Sequence, residues 1–171
     1  MEDKPMDEEK RGVSINGFQL DNLRTLRGPD GSILRADLLF HGRKICEYFD
    51  EGDEKPYLAY PVSGYTIEGI EKAVTSFTKD IRALVDEIVN RTCVLDSCRK
   101  AARKNKVLVW MRSEESGIYV MSPADPAQSD DEAISKLRGD LERMHPDITD
   151  GVYEVIRDEQ DLNVNDTEVR L

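Results

Sequence analysis

Few residues in this 171-residue chain have the type and spacing needed for acid–base or nucleophilic chemistry. Its two histidines are His41, in a predicted turn, and His145, before Pro146 at a predicted helix end. Neither has a recognisable catalytic partner in the sequence. The motifs that bind nucleotides, and the H-E-x-x-H motif of zinc proteases, are also missing from the sequence. We therefore predict no catalytic residue and no enzymatic activity.

The three cysteines, Cys46, Cys93 and Cys98, are odd in number and irregularly spaced. This usage is typical of reduced thiols in the cytoplasm rather than of a disulfide framework. Together with a histidine they could form a zinc site, but structural zinc sites usually combine two closely spaced ligand pairs. We predict buried thiols, and neither a metal nor another cofactor.

Carboxylates are abundant, and Asp21 and Asp37 fall in predicted strands. Asp37 could face inward between Ala36 and Leu38, where burial would perturb its pKa. The alternative, which we favour, is that it lies on the solvent side of a sheet whose other face is buried. We assign neither residue an acid–base role.

The net charge of −11 is unevenly distributed along the sequence. Residues 113–171 contain sixteen acids and five bases, whereas residues 1–112 contain nineteen of each. Such asymmetry is typical of an interaction surface, although a solvated acidic face would show it too. The acids that we predict to contact a partner are Asp130, Asp131, Glu132, Asp158, Glu159 and Asp161.

A basic run lies between these two regions. One hypothesis is that it contacts phosphate groups. The alternative, which the negative net charge favours, is an ordinary helix carboxyl end whose cations complement the dipole or pair with nearby acids. The residues of the run are Arg99, Lys100, Arg103, Lys104 and Lys106.

The first sixty residues predict strands. Alternating apolar positions indicate strands near Val13–Leu20, Ile33–Phe40 and Lys44–Phe49, with a short fourth strand at Tyr57–Tyr60. Turn-forming residues separate them: Gly28-Pro-Asp-Gly31, and then the His41-Gly-Arg43 step that closes a hairpin. This order predicts an antiparallel β-meander.

From Tyr65 the apolar period changes to that of a helix running to about Val89, with Thr66 as its cap. A second helical piece, Cys93–Lys104, either continues it or bends away near Arg91. The apolar stripe either packs on the meander, which we favour, or forms a homodimer. The residues of this stripe are Ile70, Val74, Phe77, Ile81, Leu84 and Ile88.

The last third predicts a hairpin at Val107–Met121, a helix begun by a capping box at Ser129, and a strand at Val152–Ile156. The predicted fold class is α+β: an N-terminal antiparallel β-meander packed against a long amphipathic helix, then a β-hairpin and a short helix. We predict a disordered acidic N-terminus (1–11), one domain (12–157) and an acidic C-terminal tail (158–171). No apolar run reaches 18 residues, so we expect no membrane span.

The block Ala36-Asp-Leu-Leu-Phe-His-Gly-Arg-Lys-Ile45 resembles an A-D-L-x-x-x-G-K-x-V hairpin. This hairpin is found in small, mostly unannotated proteins of phages and mobile elements, where a long helix, a strand hairpin and a short helix follow it. Arg43-Lys44 departs slightly from the Gly-Lys step of that pattern. The resemblance implies a phage or mobile-element context, and it carries over no functional residue.

These observations favour an acidic accessory protein of the anti-defence or anti-CRISPR type. Its carboxylates would mimic nucleic-acid charge on a basic surface of a host protein, for example a CRISPR nuclease. The alternatives are a homodimeric scaffold and a direct nucleic-acid binder. Location in the host cytoplasm is expected in each case.

Overall fold

The computed structural model describes residues 12–28, 31–52 and 54–171, and its architecture is α+β, as predicted. The predicted disordered segment 1–11 lies outside the described residues, as do Pro29 and Asp30 of the predicted turn. The described chain divides into two compact units. The meander unit comprises the residues up to Thr92 together with Asn163–Leu171, and the hairpin unit comprises Cys93–Leu162.

The meander unit contains a four-stranded antiparallel sheet whose strands follow one another in sequence order. The turn between its second and third strands uses His41 and Gly42, which have φ angles of 48° and 77°. Two consecutive positive φ values match the right-handed twist of a tight hairpin, so the turn predicted at this position is confirmed. The strands are β1 (Phe18–Gly28), β2 (Gly31–Phe40), β3 (Arg43–Asp50) and β4 (Tyr57–Ala59).

Alternation along β2 and β3 gives this sheet one apolar face and one polar face. Leu38 and Cys46 lie opposite each other and are fully buried, as is Tyr48. Asp37 and Glu47 form the adjacent pair and therefore point to the other face. The register thus places Asp37 on the solvent side, which was the favoured alternative for this residue.

Two helices follow where the sequence predicted one from Thr66 to about Val89. Helix α1 (Ile67–Thr75) begins at the predicted cap Thr66, whose hydroxyl accepts from the Gly69 N–H. Helix α2 (Ile81–Arg103) begins after Asp80, whose carboxylate accepts from the Ala83 N–H at 2.8 Å. A carboxylate at this position satisfies a free N–H and starts a new helix, so the prediction of one continuous helix here was wrong.

The apolar stripe proposed as a dimer interface is buried within the meander unit. The ring of Phe77, its partly exposed member, lies 5.9 Å from that of Phe18 on β1. The stripe therefore covers the apolar face of the sheet, which was the favoured alternative, and the structure does not support the other alternative, a homodimer through this stripe. The buried members are Ile70, Val74, Ile81, Leu84 and Ile88.

The hairpin unit contains a three-stranded antiparallel sheet in the order β6-β5-β7, formed by β5 (Val107–Arg112), β6 (Tyr119–Ala124) and β7 (Val152–Ile156). Helix α3 (Asp130–Met144) begins with the predicted capping box. Its buried Ala133, Leu137 and Leu141 form one core with Val109 and Met111 of β5. Packing an apolar helix stripe on one face of the sheet completes the core of the unit.

Residues 158–171, predicted as a tail outside a single domain, are integrated into both units. Leu162, at the end of a 3-10 helix (Glu159–Leu162), is fully buried in the hairpin unit. In the meander unit Val164 donates to the Ser14 carbonyl, and its own carbonyl accepts from the Asn16 N–H. The domain boundary is therefore corrected, because pairing between chain ends leaves no local trace in the sequence. None of the helices in the described ranges combines the length and apolarity needed to cross a bilayer.

Candidate acidic and basic surfaces

Arg157 joins the two acidic segments that the sequence analysis singled out. Its guanidinium donates to the Asp130 carboxylate through Nε at 2.9 Å and Nη2 at 2.7 Å. It also donates to the carbonyls of Pro126 and Gln128, just before α3. The start of α3 and the segment after β7 therefore lie side by side, although 27 residues separate Asp130 from Arg157.

Several of these acids also satisfy backbone N–H groups. The Glu132 carboxylate accepts from the Ser129 N–H in the capping box. The Asp161 carboxylate accepts from the N–H groups of Arg157 and Asp158. The Asp131 carboxylate, by contrast, makes no hydrogen bond or ion pair within the part of the chain that the structure describes. Glu132 and Asp161 therefore stabilise local backbone, while all of these acids still present an exposed carboxylate.

We call this set the acidic surface. Six acids and two nearby arginines, Arg99 and Arg157, leave a formal excess of four negative charges. All six acids are exposed, so a partner can reach them directly, and salt screens their field over a Debye length of about 10 Å at 0.1 M. The members of the acidic surface are Asp130, Asp131, Glu132, Asp158, Glu159 and Asp161.

The basic run lies at the end of α2, in the same unit. Arg99 donates to the Glu159 carboxylate through Nε at 2.8 Å and Nη2 at 3.3 Å, so this cation is part of an ion pair within the unit. The helix ends at Arg103, and Asn105 just after it adopts the left-handed conformation (φ 53°) that asparagine tolerates at a helix end. The other cations are exposed and have no ion pair with any described residue, and we call them the basic turn: Lys100, Arg103, Lys104 and Lys106.

The other titratable candidates do not come together in one site. Cys46 lies on the buried face of the meander sheet, where burial raises the pKa of its thiol to about 12. Asp37 lies on the opposite face. Its partial burial raises its pKa, but hydrogen bonds from Asn22 and Lys44 outweigh that effect and hold the pKa below its ordinary value. A pocket shared by Cys46 and Asp37 is thus excluded by the strand register.

The remaining histidines and cysteines have structural surroundings. His41 occupies the β2–β3 turn with its ring 4.2 Å from that of Phe40, and His145 caps the end of α3. Cys93 is exposed, whereas Cys98 is buried and has its pKa raised to about 11 by burial and then by nearby carboxylates. Within the described ranges, His, Cys, Asp and Glu form no cluster of three or more able to hold a metal ion.

Two surface features of the meander unit were not predicted from the sequence. One is a cleft of about 480 Å³ between residues 64–76 and the final residues 168–171. The other is a group of exposed aromatic side chains around Tyr57. The cleft escaped prediction because its wall belongs to the segment predicted as a tail. The aromatic group could have been suspected from three aromatic residues within twelve positions, Phe49 to Tyr60.

Comparison with protein-family models, with curated proteins and with solved structures finds no match for this chain. A function must therefore be inferred from the surfaces themselves. Of these, the acidic surface gathers the most charge from separate parts of the sequence, and the basic turn is its counterpart of opposite sign.

Proposed function

We propose that this chain is a non-enzymatic binding protein whose acidic surface occupies a basic, nucleic-acid-binding surface of another protein. The supporting observation is the Arg157 bridge, which brings two acidic segments together and leaves the carboxylates exposed. Clustered carboxylates resemble a short run of phosphates in charge. They speed association with a basic partner and repel other acidic molecules.

The class of partner follows from the resemblance of the Ala36–Ile45 hairpin to phage and mobile-element proteins. A chain from such a source that mimics nucleic acid would act in the host cytoplasm as an inhibitor. Its target would be a nucleic-acid-binding or defence protein, of which a CRISPR nuclease is one example. Binding would compete directly with the nucleic acid that the target normally holds.

Salt-dependent capture tests this proposal. The immobilised chain is exposed to bacterial lysate, and bound proteins are eluted with rising NaCl, with and without added duplex DNA. We expect a basic protein that is released as salt shortens the Debye length from about 10 Å at 0.1 M to about 3 Å at 1 M. Added DNA should prevent its capture.

A matched pair of variants tests the site. Asp131→Lys and Glu142→Lys each change the charge by two units on an exposed position of α3, one inside the acidic surface and one near the other end of the helix. We expect the first to lower capture strongly and the second only slightly, with both variants folded by circular dichroism. Capture that persists at 1 M NaCl, or that responds equally to both variants, would contradict the proposal.

A second candidate function is direct binding of nucleic acid by the basic turn. The favouring observation is that Lys100, Arg103, Lys104 and Lys106 are exposed and lack ion pairs within the described residues, whereas Arg99 is paired. A gel-shift assay with DNA and RNA at low salt distinguishes the two candidates. Retardation that Lys104→Glu abolishes and exposed Lys136→Glu on α3 preserves would favour this second function.

A further inference from the structure

A patch of aromatic side chains lies on the polar side of the meander sheet, at its β3–β4 edge. The rings of Phe49 and Tyr57, which are paired across the two strands, are stacked with centroids 5.2 Å apart and planes 9° from parallel. The ring of Tyr60 meets that of Phe49 edge-on at 6.2 Å. Tyr57 and Tyr60 are 44% and 71% exposed, so two large rings present their faces or edges to solvent.

The backbone holds Tyr60 in an uncommon conformation. Its φ angle is 53°, in the left-handed region that bulky residues rarely adopt, and Pro61 follows it. Strained non-glycine residues persist where the surrounding structure determines them, and they cluster at binding sites. Here the strain keeps a largely exposed aromatic ring beside two others, although burial gives that ring little stabilisation.

The charges around the patch indicate the sign of its ligand. The Arg35 guanidinium already lies 5.1 Å from the Phe49 ring centre and is paired with Glu47. Two further acids stand beside Tyr57. Its hydroxyl donates to the Glu51 carboxylate at 3.4 Å, and its pKa is raised by desolvation first and then by Glu51 and more weakly by Glu54. Within the described residues, neither the Glu51 nor the Glu54 carboxylate has a cationic partner; Arg82 reaches Glu54 only at its backbone carbonyl, at 2.9 Å.

We propose that this patch, formed by Phe49, Tyr57 and Tyr60 with Glu51 and Glu54, binds a lysine or arginine side chain of a protein partner. Aromatic faces attract a cation through their quadrupole, and adjacent carboxylates supply the opposite charge. Arg35 on Phe49 is an internal example of the same contact. A nucleic-acid base could also stack here, but the two acids repel its phosphates.

This second site belongs to the meander unit and does not depend on the acidic surface of the hairpin unit. Both sites favour a cationic partner, but they do so by different contacts. The acidic surface acts through charge alone, whereas the aromatic patch also requires ring faces. Substitutions at one site should therefore leave binding at the other unchanged.

The test is a titration of the isotope-labelled full chain, followed by NMR, with the peptide acetyl-Gly-Arg-Gly-amide. The matched probe replaces arginine by citrulline, which has almost the same shape without the charge. We expect saturable shifts at Tyr57, Tyr60 and Glu51 with the arginine peptide, and much smaller ones with the citrulline peptide. Tyr60→Ala should weaken arginine binding about two- to fivefold, the range estimated for an exposed cation–π contact.

Further variants show whether the rings and the acids are the cause. Tyr60→Phe keeps a ring and should retain affinity, Glu51→Gln should weaken it, and Tyr119→Ala, at an exposed tyrosine of the hairpin unit, should have no effect. The proposal is overturned if the two peptides bind alike, if Tyr60→Ala has no effect, or if oligothymidine shifts the same residues more strongly. Asp131→Lys should leave this titration unchanged, so a failure of the acidic-surface proposal is distinguishable.

Discussion

The two units of this protein use their charged residues differently. The described residues of the meander unit contain thirteen acids and eleven bases, whereas the hairpin unit contains fifteen and ten. In the meander sheet, Lys44 contacts both Asp37 and Glu47, and Arg35 contacts Glu47 as well. The Lys44–Asp37 and Arg35–Glu47 pairs cross between β2 and β3, whereas Lys44–Glu47 lies within β3. Together these opposite charges neutralise one another locally.

In the hairpin unit, the bonded members of the acidic surface are held by backbone N–H groups and by two arginines, Arg99 and Arg157. Backbone partners satisfy hydrogen bonds but leave the negative charge in place. A carboxylate can therefore have its hydrogen bonds satisfied and still keep its full negative charge. Asp161, with two N–H partners, has its oxygen partly satisfied and still contributes to the acidic surface. A surplus of this kind is available to a partner, whereas the cross-strand network of the meander sheet is not.

The largest predicted effect tests whether the C-terminal residues belong to the folded units. Leu162→Ala removes a fully buried side chain and should lower the free energy of unfolding by about 3 kcal/mol, as large-to-small core changes do. Leu171→Ala, at a residue 44% exposed, is the control and should change it by less than about 0.5 kcal/mol. Urea unfolding followed by circular dichroism measures both. If both variants had equally small effects, residues 158–171 would behave as the tail predicted from the sequence.

Local sequence signals predicted much of the fold. The His41-Gly42 turn and the Thr66 and Ser129 caps each depend on residues close in sequence, and the structure has all of them. The break before α2 had a local signal too, since Asp80 is a good helix cap. The apolar stripe hides this break because it continues across it in the same period.

The remaining features depend on contacts between distant residues. Asn16 accepts hydrogen bonds from the N–H groups of Asp166 and Thr167, about 150 residues away. Nothing in either segment alone predicts this pairing. The same holds for the acidic surface, since the charge asymmetry located the acids but not the Arg157 bridge that gathers them. The aromatic patch required the β3–β4 register as well.

A smaller effect is expected at the ion pair that joins the end of β3 to the start of α2. Asp50 accepts from Arg82 at 3.1 Å, from the Tyr48 hydroxyl and from the Gly52 N–H. Partial burial raises its pKa, but these donors outweigh burial and hold the pKa below its ordinary value of 3.8. Asp50→Asn should cost about 1 to 2 kcal/mol at pH 7, the low end of the roughly 1.5 to 3 kcal/mol for hydrogen bonds to charged groups, because Arg82 is partly exposed.

The contribution of the Asp50 carboxylate to the free energy of unfolding should depend on pH. Because the pKa of Asp50 is lower in the folded chain, its stabilisation is present above the unfolded value and is lost as pH falls through the folded value. The difference between the native chain and Asp50→Asn should therefore shrink below about pH 4. Glu71→Gln, at an exposed position of α1, is the control. A difference that stays constant down to pH 2 would show that charge is not involved.

A further prediction concerns the capping box formed by Ser129 and Glu132 at the start of α3. Ser129→Ala removes the acceptor for the Glu132 N–H and should lower the free energy of unfolding by about 1 kcal/mol. Ser135→Ala, at an exposed position inside the same helix, should stabilise slightly because alanine is the better helix former. Thermal unfolding compares the two variants. If they behave alike, the Ser129 hydroxyl contributes little to starting α3, and the backbone bond to the Glu132 carboxylate carries the cap.

The smallest effect on stability is expected at Cys93, which lies at a solvent-facing position of α2. Cys93 is exposed, whereas Cys46 and Cys98 are buried with pKa values raised to about 12 and about 11. Because the thiolate is the reactive form, iodoacetamide at pH 8 should modify Cys93 alone in the folded chain and all three cysteines in urea. Mass spectrometry after digestion counts the labels. Since an exposed side chain contributes little to the core, the labelled protein should unfold at an unchanged midpoint. If Cys46 were labelled before Cys93 in the folded chain, the meander sheet would have to open readily enough to expose Cys46. That result would contradict the burial of Cys46 and the exposure of Cys93.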